Sequence, residues 1–205
     1  MWQDILQFGV TPVVTAIIAA YGAIKANKYQ EKKEKEKQNY LDLHDDITPQ
    51  IKEICTYLGH TINPIRCDYW IGHNGTRSIS GFHMTKLSML CEWVDEDTPE
   101  TLHINQDLPT QTFQRNMFSL SVAKEHYIVS RESEHTDQLS SIIRSFGVNT
   151  FVAFKTFNSK GQWEGILTLG FEEEDKQLAD DEIGYIRIMA DRIGSIMSTL
   201  DENKK

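Results

Sequence analysis

Uncharged residues run without a break from Ile5 to Ile24, and the chain turns to lysine at Lys25. Farther along, apolar positions recur at steps of three and four, first at Tyr40, Leu43, Ile47, Ile51, Ile54 and Leu58. The same spacing returns at Ile183, Ile186, Ala190, Ile193, Met197 and Leu200. Such stripes predict amphipathic helices near both ends of the polar part of the chain. Between them lie short β-rich runs broken by turn residues.

At about 1.5 Å per residue, a helix over residues 5–24 is roughly 30 Å long, the thickness of a bilayer's hydrocarbon core. Its Leu, Ile, Val and Phe residues each favour insertion by about 0.3 to 0.6 kcal/mol, and Gln7, Thr11, Pro12, Thr15 and Gly22 dilute the effect. A cleaved signal peptide needs a positively charged leading segment, whereas only Asp4 is charged before the run. A buried helix of a soluble protein is disfavoured by the length free of charge. The expectation is a transmembrane anchor in residues 1–24, with residues 5–24 against membrane lipid. The lysines beyond it hold that flank in the cytoplasm and leave the N-terminus outside a cytoplasmic (inner) membrane crossed once.

Residues 25–46 have neither Gly nor Pro and many helix formers, which predicts a lysine-rich helical stalk about 33 Å long. Asp46 and Pro49 mark a fresh helix start. A strand is expected over Asp68–His73, closed by the turn pair Asn74-Gly75, with its hairpin partner over Leu87–Val94. Residues 95–110 read as loop, Gln111–Ser121 as helix, Tyr127–Ser130 as a short strand and His135–Phe146 as helix ended by Gly147. Strands over Thr150–Thr156 and Trp163–Phe171 flank a turn at Asn158–Gly161, and a last helix runs from Asp180 or Asp181 to Leu200. Residues 47–205 thus make one α+β domain, an antiparallel sheet flanked by helices.

Charge sharpens the picture. Residues 1–24 carry only Asp4 and residues 25–37 hold six Lys against three Glu, so in a chain of net charge −9 the remainder carries eleven net negative charges. An acidic body offers no footprint for nucleic acid. The three cysteines, Cys55, Cys67 and Cys91, lack CxxC spacing, which indicates reduced thiols rather than a disulfide framework.

From about Ile47 to Leu200 the chain resembles a GAF domain, the PAS-related small-molecule sensor fold. SFGVNTFVAFKTFNSKGQWEGILTLGF, followed by the helix from Asp180, is similar to the GAF ending. CDYWIGHNGTRSISGFHMTKLSMLCE is similar to GAF-like proteins of phage and bacterial membranes that carry an HNG turn and a KxSMxxE strand. The resemblance implies a sensor or regulatory module and leaves its ligand open, because GAF domains bind unrelated ligands or none. It also implies dimerisation through the first and last helices of the domain.

Candidate ligand-binding residues cluster at the strand ends. His73 and Asn74 lie at the HNG turn, where plain turn chemistry is the rival reading. His83 and Lys86 lie on the loop entering the next strand and suit an anion, or are simply solvated. Alternation puts Ser88, Leu90 and Glu92 on one face and Met89, Cys91 and Trp93 on the other. A half-buried Glu92 needs a partner such as Lys86, Arg115 or a backbone donor, or its pKa rises. Tyr69 shares a face with Ile71 and His73, with Trp70 opposite; an aromatic wall for a planar ligand and core packing are the alternatives.

No pair among His60, Cys67, His73, His83, Cys91 and Glu92 has the spacing of a zinc loop or HExxH, so no metal and no cofactor is expected. The cysteine pattern of the methionine sulfoxide reductase branch and the cyclic-nucleotide signature are missing, and Cys91 alone does not argue for bilin attachment. No P-loop, GxGxxG, GxSxG or paired catalytic carboxylate occurs, which points away from an enzyme. Small residues at Thr15, Ala19 and Ala23, and at Ala16 and Ala20, permit close approach of membrane helices and favour a homodimer. The expected function is a membrane-anchored, non-enzymatic sensor with an unknown small molecule and an unknown protein partner. The alternative is a ligand-free, phage-encoded scaffold that dimerises and docks a partner; a third reading gives the span an active part in a membrane lesion.

Overall fold

The computed structural model describes residues 25, 27–30, 45–73, 85–125, 127–131 and 146–202. The chain divides into two compact units, one of residues 1–44 and the other of residues 45–203. In the first, residues 25 and 27–30 are helical. The remainder of the expected stalk and the whole of the uncharged run lie outside the described residues. Among the described residues no helix is long and apolar enough to cross a membrane.

The second unit opens with helix α1, residues 45–62, on which Ile47, Ile51, Ile54, Leu58 and Ile62 are buried. The apolar stripe seen in the sequence is therefore the face turned to the core. Strands β1 (Arg66–His73) and β2 (Lys86–Val94) follow, then the two-residue strand β3 (Leu108–Pro109), a 3-10 turn (Thr110–Phe113) and helix α2 (Gln114–Val122). Strands β4 (Tyr127–Arg131), β5 (Thr150–Phe157) and β6 (Trp163–Phe171) lead to helix α3 (Asp180–Glu202). The expected strands and the last helix are present with ends moved by up to two residues. The helix expected over His135–Phe146 lies outside the described residues, apart from Phe146 in a turn.

The six strands form one sheet in the order β3-β2-β1-β6-β5-β4, with every pairing antiparallel. The turn joining β5 to β6 is built by Asn158, whose Oδ1 accepts from the main-chain N–H groups of Lys160 (3.0 Å) and Gln162 (2.9 Å). Gly161 completes it at φ +69°, a conformation that suits a residue without Cβ. At the start of α3, Asp180, Asp181 and Glu182 complement the positive helix end, and Glu182 Oε2 accepts from the Ala179 N–H at 2.7 Å.

Both faces of the sheet are covered, which explains why β2, β5 and β6 are buried almost throughout. One face carries Cys67, Tyr69, Cys91, Leu167 and Leu169 under α1 and α3. Tyr57 of α1 meets Tyr185 of α3 with ring centroids 5.9 Å apart. The other face carries Trp70, Leu87, Met89, Ala153 and Ile166, packed with Leu120 of α2, Phe146, Val148 and Trp163.

Strict alternation along β2 fails at one point. Tyr69 pairs with Cys91 and Trp70 with Met89, so Leu90 is an extra residue in β2. The bulge puts Glu92 and Met89 on the Trp70 face and Ser88 with Cys91 on the Tyr69 face. The expected grouping of Ser88 with Glu92, and of Met89 with Cys91, is therefore corrected.

Candidate functional site

Trp70 is anchored by its indole N–H, which donates to Thr168 Oγ1 on the neighbouring strand β6 at 3.1 Å. The Thr168 hydroxyl donates in turn to the Asp68 carbonyl at 3.3 Å, so both polar groups are satisfied under the sheet. Above Trp70 lies a cavity of about 40 Å³, with Leu87, Met117, Leu120, Ile128, Phe146 and Phe151 among its walls. Phe113 closes one side, its ring edge-on to Trp70 at 6.0 Å between centroids.

The lining is apolar except for Asn116 and Thr168. Asn116 Oδ1 accepts from Ser130 Oγ at 3.2 Å. Its Nδ2 is buried without a hydrogen-bond partner among the described residues. A buried donor left unmade costs about 1 to 3 kcal/mol, so this carboxamide is a ready contact for an acceptor on a guest. A void of this size has room for little more than a molecule of water's size.

Beside the cavity sits a buried ionic cluster that the sequence reading did not anticipate. Arg66, fully buried, donates from Nε to Asp68 Oδ2 at 2.9 Å and from Nη2 to Glu92 Oε2 at 2.9 Å and Thr101 Oγ1 at 2.6 Å. Its guanidinium carbon lies 4.4 Å from the centre of the Phe146 ring, a cation–π contact. Glu92 also accepts from the main-chain N–H groups of Thr101 at 2.9 Å and Leu102 at 2.6 Å. Of the partners expected for Glu92, the backbone donor is present twice over; Lys86 pairs with Asp107 instead, and the positive charge comes from Arg66. Burial pushes the Asp68 carboxyl up to about 6 against the pull of Arg66, with Glu92 adding repulsion.

The remaining candidates are dispersed. Tyr69 is fully buried on the opposite face, its hydroxyl 3.1 Å from Thr156 Oγ1, and burial raises its pKa. Ser88 Oγ accepts from the Asp107 N–H at 2.8 Å and so ties down the loop before β3. Lys86 forms an exposed ion pair with Asp107 at 3.3 Å. His73 ends β1, opposite Lys86, while Asn74 and His83 lie outside the described residues. Of the six candidates among the described residues, Trp70 alone lines the cavity.

The cysteines meet between α1 and the sheet. Cys55 Sγ lies 3.9 Å from Cys91 Sγ, and Cys67 is equally buried. Hydrogen bonding to Cys67 pushes the Cys55 thiol up, and burial does the same to Cys67. No cysteine borders the cavity, and among the described residues no group of three or more His, Cys, Asp or Glu is placed to hold a metal ion.

Asn116, Thr168 and Arg66 were the residues that sequence reasoning missed. The available signal was the pair Arg66 and Asp68 at a spacing of two inside a strand, which sets both side chains on one face. Asn116 gave none, since a polar residue in a short helix is ordinarily solvated.

No protein-family model and no curated protein matches the sequence. Solved structures do match. The phycoerythrobilin-bound GAF domain from a cyanobacterial phytochrome superposes with a TM-score of 0.60 at 14% identity, over 82% of this chain and 91% of that one. The GAF domain of Thermosynechococcus elongatus PixJ in its blue-light absorbing form gives 0.60 at 13% identity, over 80% and 92%. GAF3 from a Synechocystis protein, in its photoproduct state, gives 0.58 at 14% identity, over 77% and 97%. The likeness is one of fold: the chain contains a GAF-like α+β domain.

Proposed function

We propose that the protein is a membrane-anchored, non-enzymatic sensor or regulatory module whose GAF-like domain binds a small molecule in the cavity between Trp70 and Asn116. The observation that carries this reading is the pre-formed apolar hollow over Trp70, bordered by Asn116, whose buried Nδ2 has no partner among the described residues. The guest it fits is small and mainly apolar, with one acceptor. Attachment of a bilin in this cavity is not part of the reading, because no cysteine borders it.

Residues 5–24 anchor the domain on the cytoplasmic side of the membrane, as in the phage and bacterial GAF-like membrane proteins that the HNG and KxSMxxE segments resemble. Association of two copies through α1 and α3 would bring together their exposed apolar residues Tyr57 and Ile188. Thermal melting of the whole chain against small apolar compounds that carry one acceptor, with nucleotides, amino acids and carboxylates in parallel, tests the ligand. A rise in melting temperature that disappears in Asn116→Leu is expected; no shift with any compound would sink the reading.

A second reading, the ligand-free scaffold, is favoured by the cavity volume, since about 40 Å³ lies far below the roughly 300 to 1,000 Å³ of ordinary ligand pockets. Trp70 and Phe113 contribute to that closure. Phe154 takes no part in it, since it lies on the opposite face, stacked on Tyr127 at 5.0 Å between ring centroids.

A further inference from the structure

A second hollow, much roomier than the first, opens at the end of β5. Strand β4 pairs with β5 only as far as Tyr127 opposite Phe154, whereas β5 continues to Phe157. Lys155, Thr156 and Phe157 therefore have no strand beside them on that side among the described residues. The space left by β4 is a half-open cleft of about 400 Å³, bounded by Phe154, Lys155, Phe157, Gly161 and, from α3, Arg187 and Asp191. That volume falls within the ordinary range of small-molecule sites, about 300 to 1,000 Å³.

The basic residues beside it are incompletely matched. Lys155 is only 8% exposed, yet no carboxylate lies within ion-pair distance of its ammonium among the described residues. Its acceptors are the main-chain carbonyls of Ser121 at 3.4 Å and Ala123 at 3.3 Å, at the end of α2. Charge-assisted hydrogen bonds are usually about 2.7 to 2.9 Å, so these are weak ones. The Trp163 ring, 5.6 Å away, adds a cation–π contact, and burial alone lowers the Lys155 pKa. Arg187 spends Nη2 on the Glu125 carbonyl at 2.9 Å, and its planar head carries further donors.

We infer that this cleft is a binding site for a small organic monoanion, a carboxylate on a flat apolar body. Arg187 supplies the counter-charge from α3, while Phe154 and Phe157 supply the apolar wall; the Lys155 ammonium is turned to the other face of the sheet, towards Trp163 and the end of α2. Asp191 sets the limit on charge, because its carboxylate on the same rim repels a phosphate dianion. Gly161 leaves the far side unobstructed, since a Cβ built there meets nothing within 4 Å. This site is separate from the cavity at Trp70, which lies among Leu87, Leu120 and Ile166 under the other part of the sheet.

The test uses the full 205-residue chain at fixed ionic strength, titrated with benzoate and, in parallel, with benzylamine and inorganic phosphate. Saturable binding of benzoate with at least tenfold weaker binding of the other two is expected. Arg187→Gln, an exposed change, should weaken benzoate at least tenfold, and Asp191→Asn should narrow the gap between benzoate and phosphate. Asn116→Leu, in the other cavity, should leave benzoate unchanged. Benzoate that fails to bind, binds equally to Arg187→Gln, or is lost in Asn116→Leu overturns the inference. The last outcome would instead place the anion at Trp70, so failure here is distinguishable from failure of the sensor reading.

Discussion

Arg66 and Glu92 lie on neighbouring strands, 26 residues apart in sequence, and their side chains meet at 2.9 Å with almost no exposure to solvent. Glu92 completes its hydrogen bonding with the N–H groups of Thr101 and Leu102, so one carboxylate ties strand β2 to both β1 and the loop that follows. Leu102 packs against the core cluster, which makes this clamp part of the lid over the Trp70 face. Removing one partner of such a pair leaves a buried charge and costs about 3 to 5 kcal/mol. Glu92→Ala should therefore lose about that much in urea unfolding and show faster amide exchange over residues 95–107. A loss below about 1 kcal/mol would mean that water replaces the carboxylate.

Asp68 gives the cluster a pH dependence. Its native pKa of about 6 lies above its ordinary value of 3.8, so between those limits the folded state holds the proton more tightly than the unfolded chain. The sign follows: this group adds stability as pH falls through 6 towards 3.8, by at most about 1.4 kcal/mol per pH unit, and detracts once ionised. Arg66 on the same strand, Glu92 on β2 and the Thr168 hydroxyl on β6 are the groups that face it. The unfolding free energy of the wild type minus that of Asp68→Asn should fall as pH rises from 4 to about 6 and flatten above 7. A rise over the same interval would show that the attraction of Arg66 outweighs burial.

Two helical glycines should respond with opposite signs to the same change. In an exposed helix interior, Gly→Ala gains about 1 kcal/mol. Gly184 on α3 is half-buried but has room for the methyl group, because a Cβ there has nothing within 4 Å. At Gly59 on α1 a Cβ would collide with the Trp93 ring, and overpacking of that kind costs about 1 to 3 kcal/mol. Gly184→Ala should raise the melting temperature and Gly59→Ala should lower it, as differential scanning fluorimetry would reveal.

The three thiols should be silent in the folded protein. Cys55 and Cys67 are fully buried and their thiols are held protonated, which suppresses the reactive thiolate. Titration with an aromatic disulfide reagent should find essentially no reaction in native buffer and three equivalents in guanidinium. Rapid labelling without denaturant would show that α1 lifts from the sheet.

Local pattern was enough for the class of the domain and most of its elements. Alternation and turn residues located β1, β5 and β6, and the apolar steps of three and four located the buried faces of α1 and α3, because such periodicities depend only on neighbours along the chain. The same is true of the uncharged run at residues 5–24 and its lysine flank, which remain a statement of sequence alone. What the tertiary structure decided are relationships between distant residues. The bulge at Leu90 moved Met89 to the face of Glu92 against the expected alternation, and pairing of β1 with β6 brought Trp70 to Thr168, 98 residues away. Arg66, Asp68 and Glu92 became one cluster, and the Lys155 cleft arose, only because strands end and register where packing places them. Register and strand length answer to long-range contacts, and no local period encodes them.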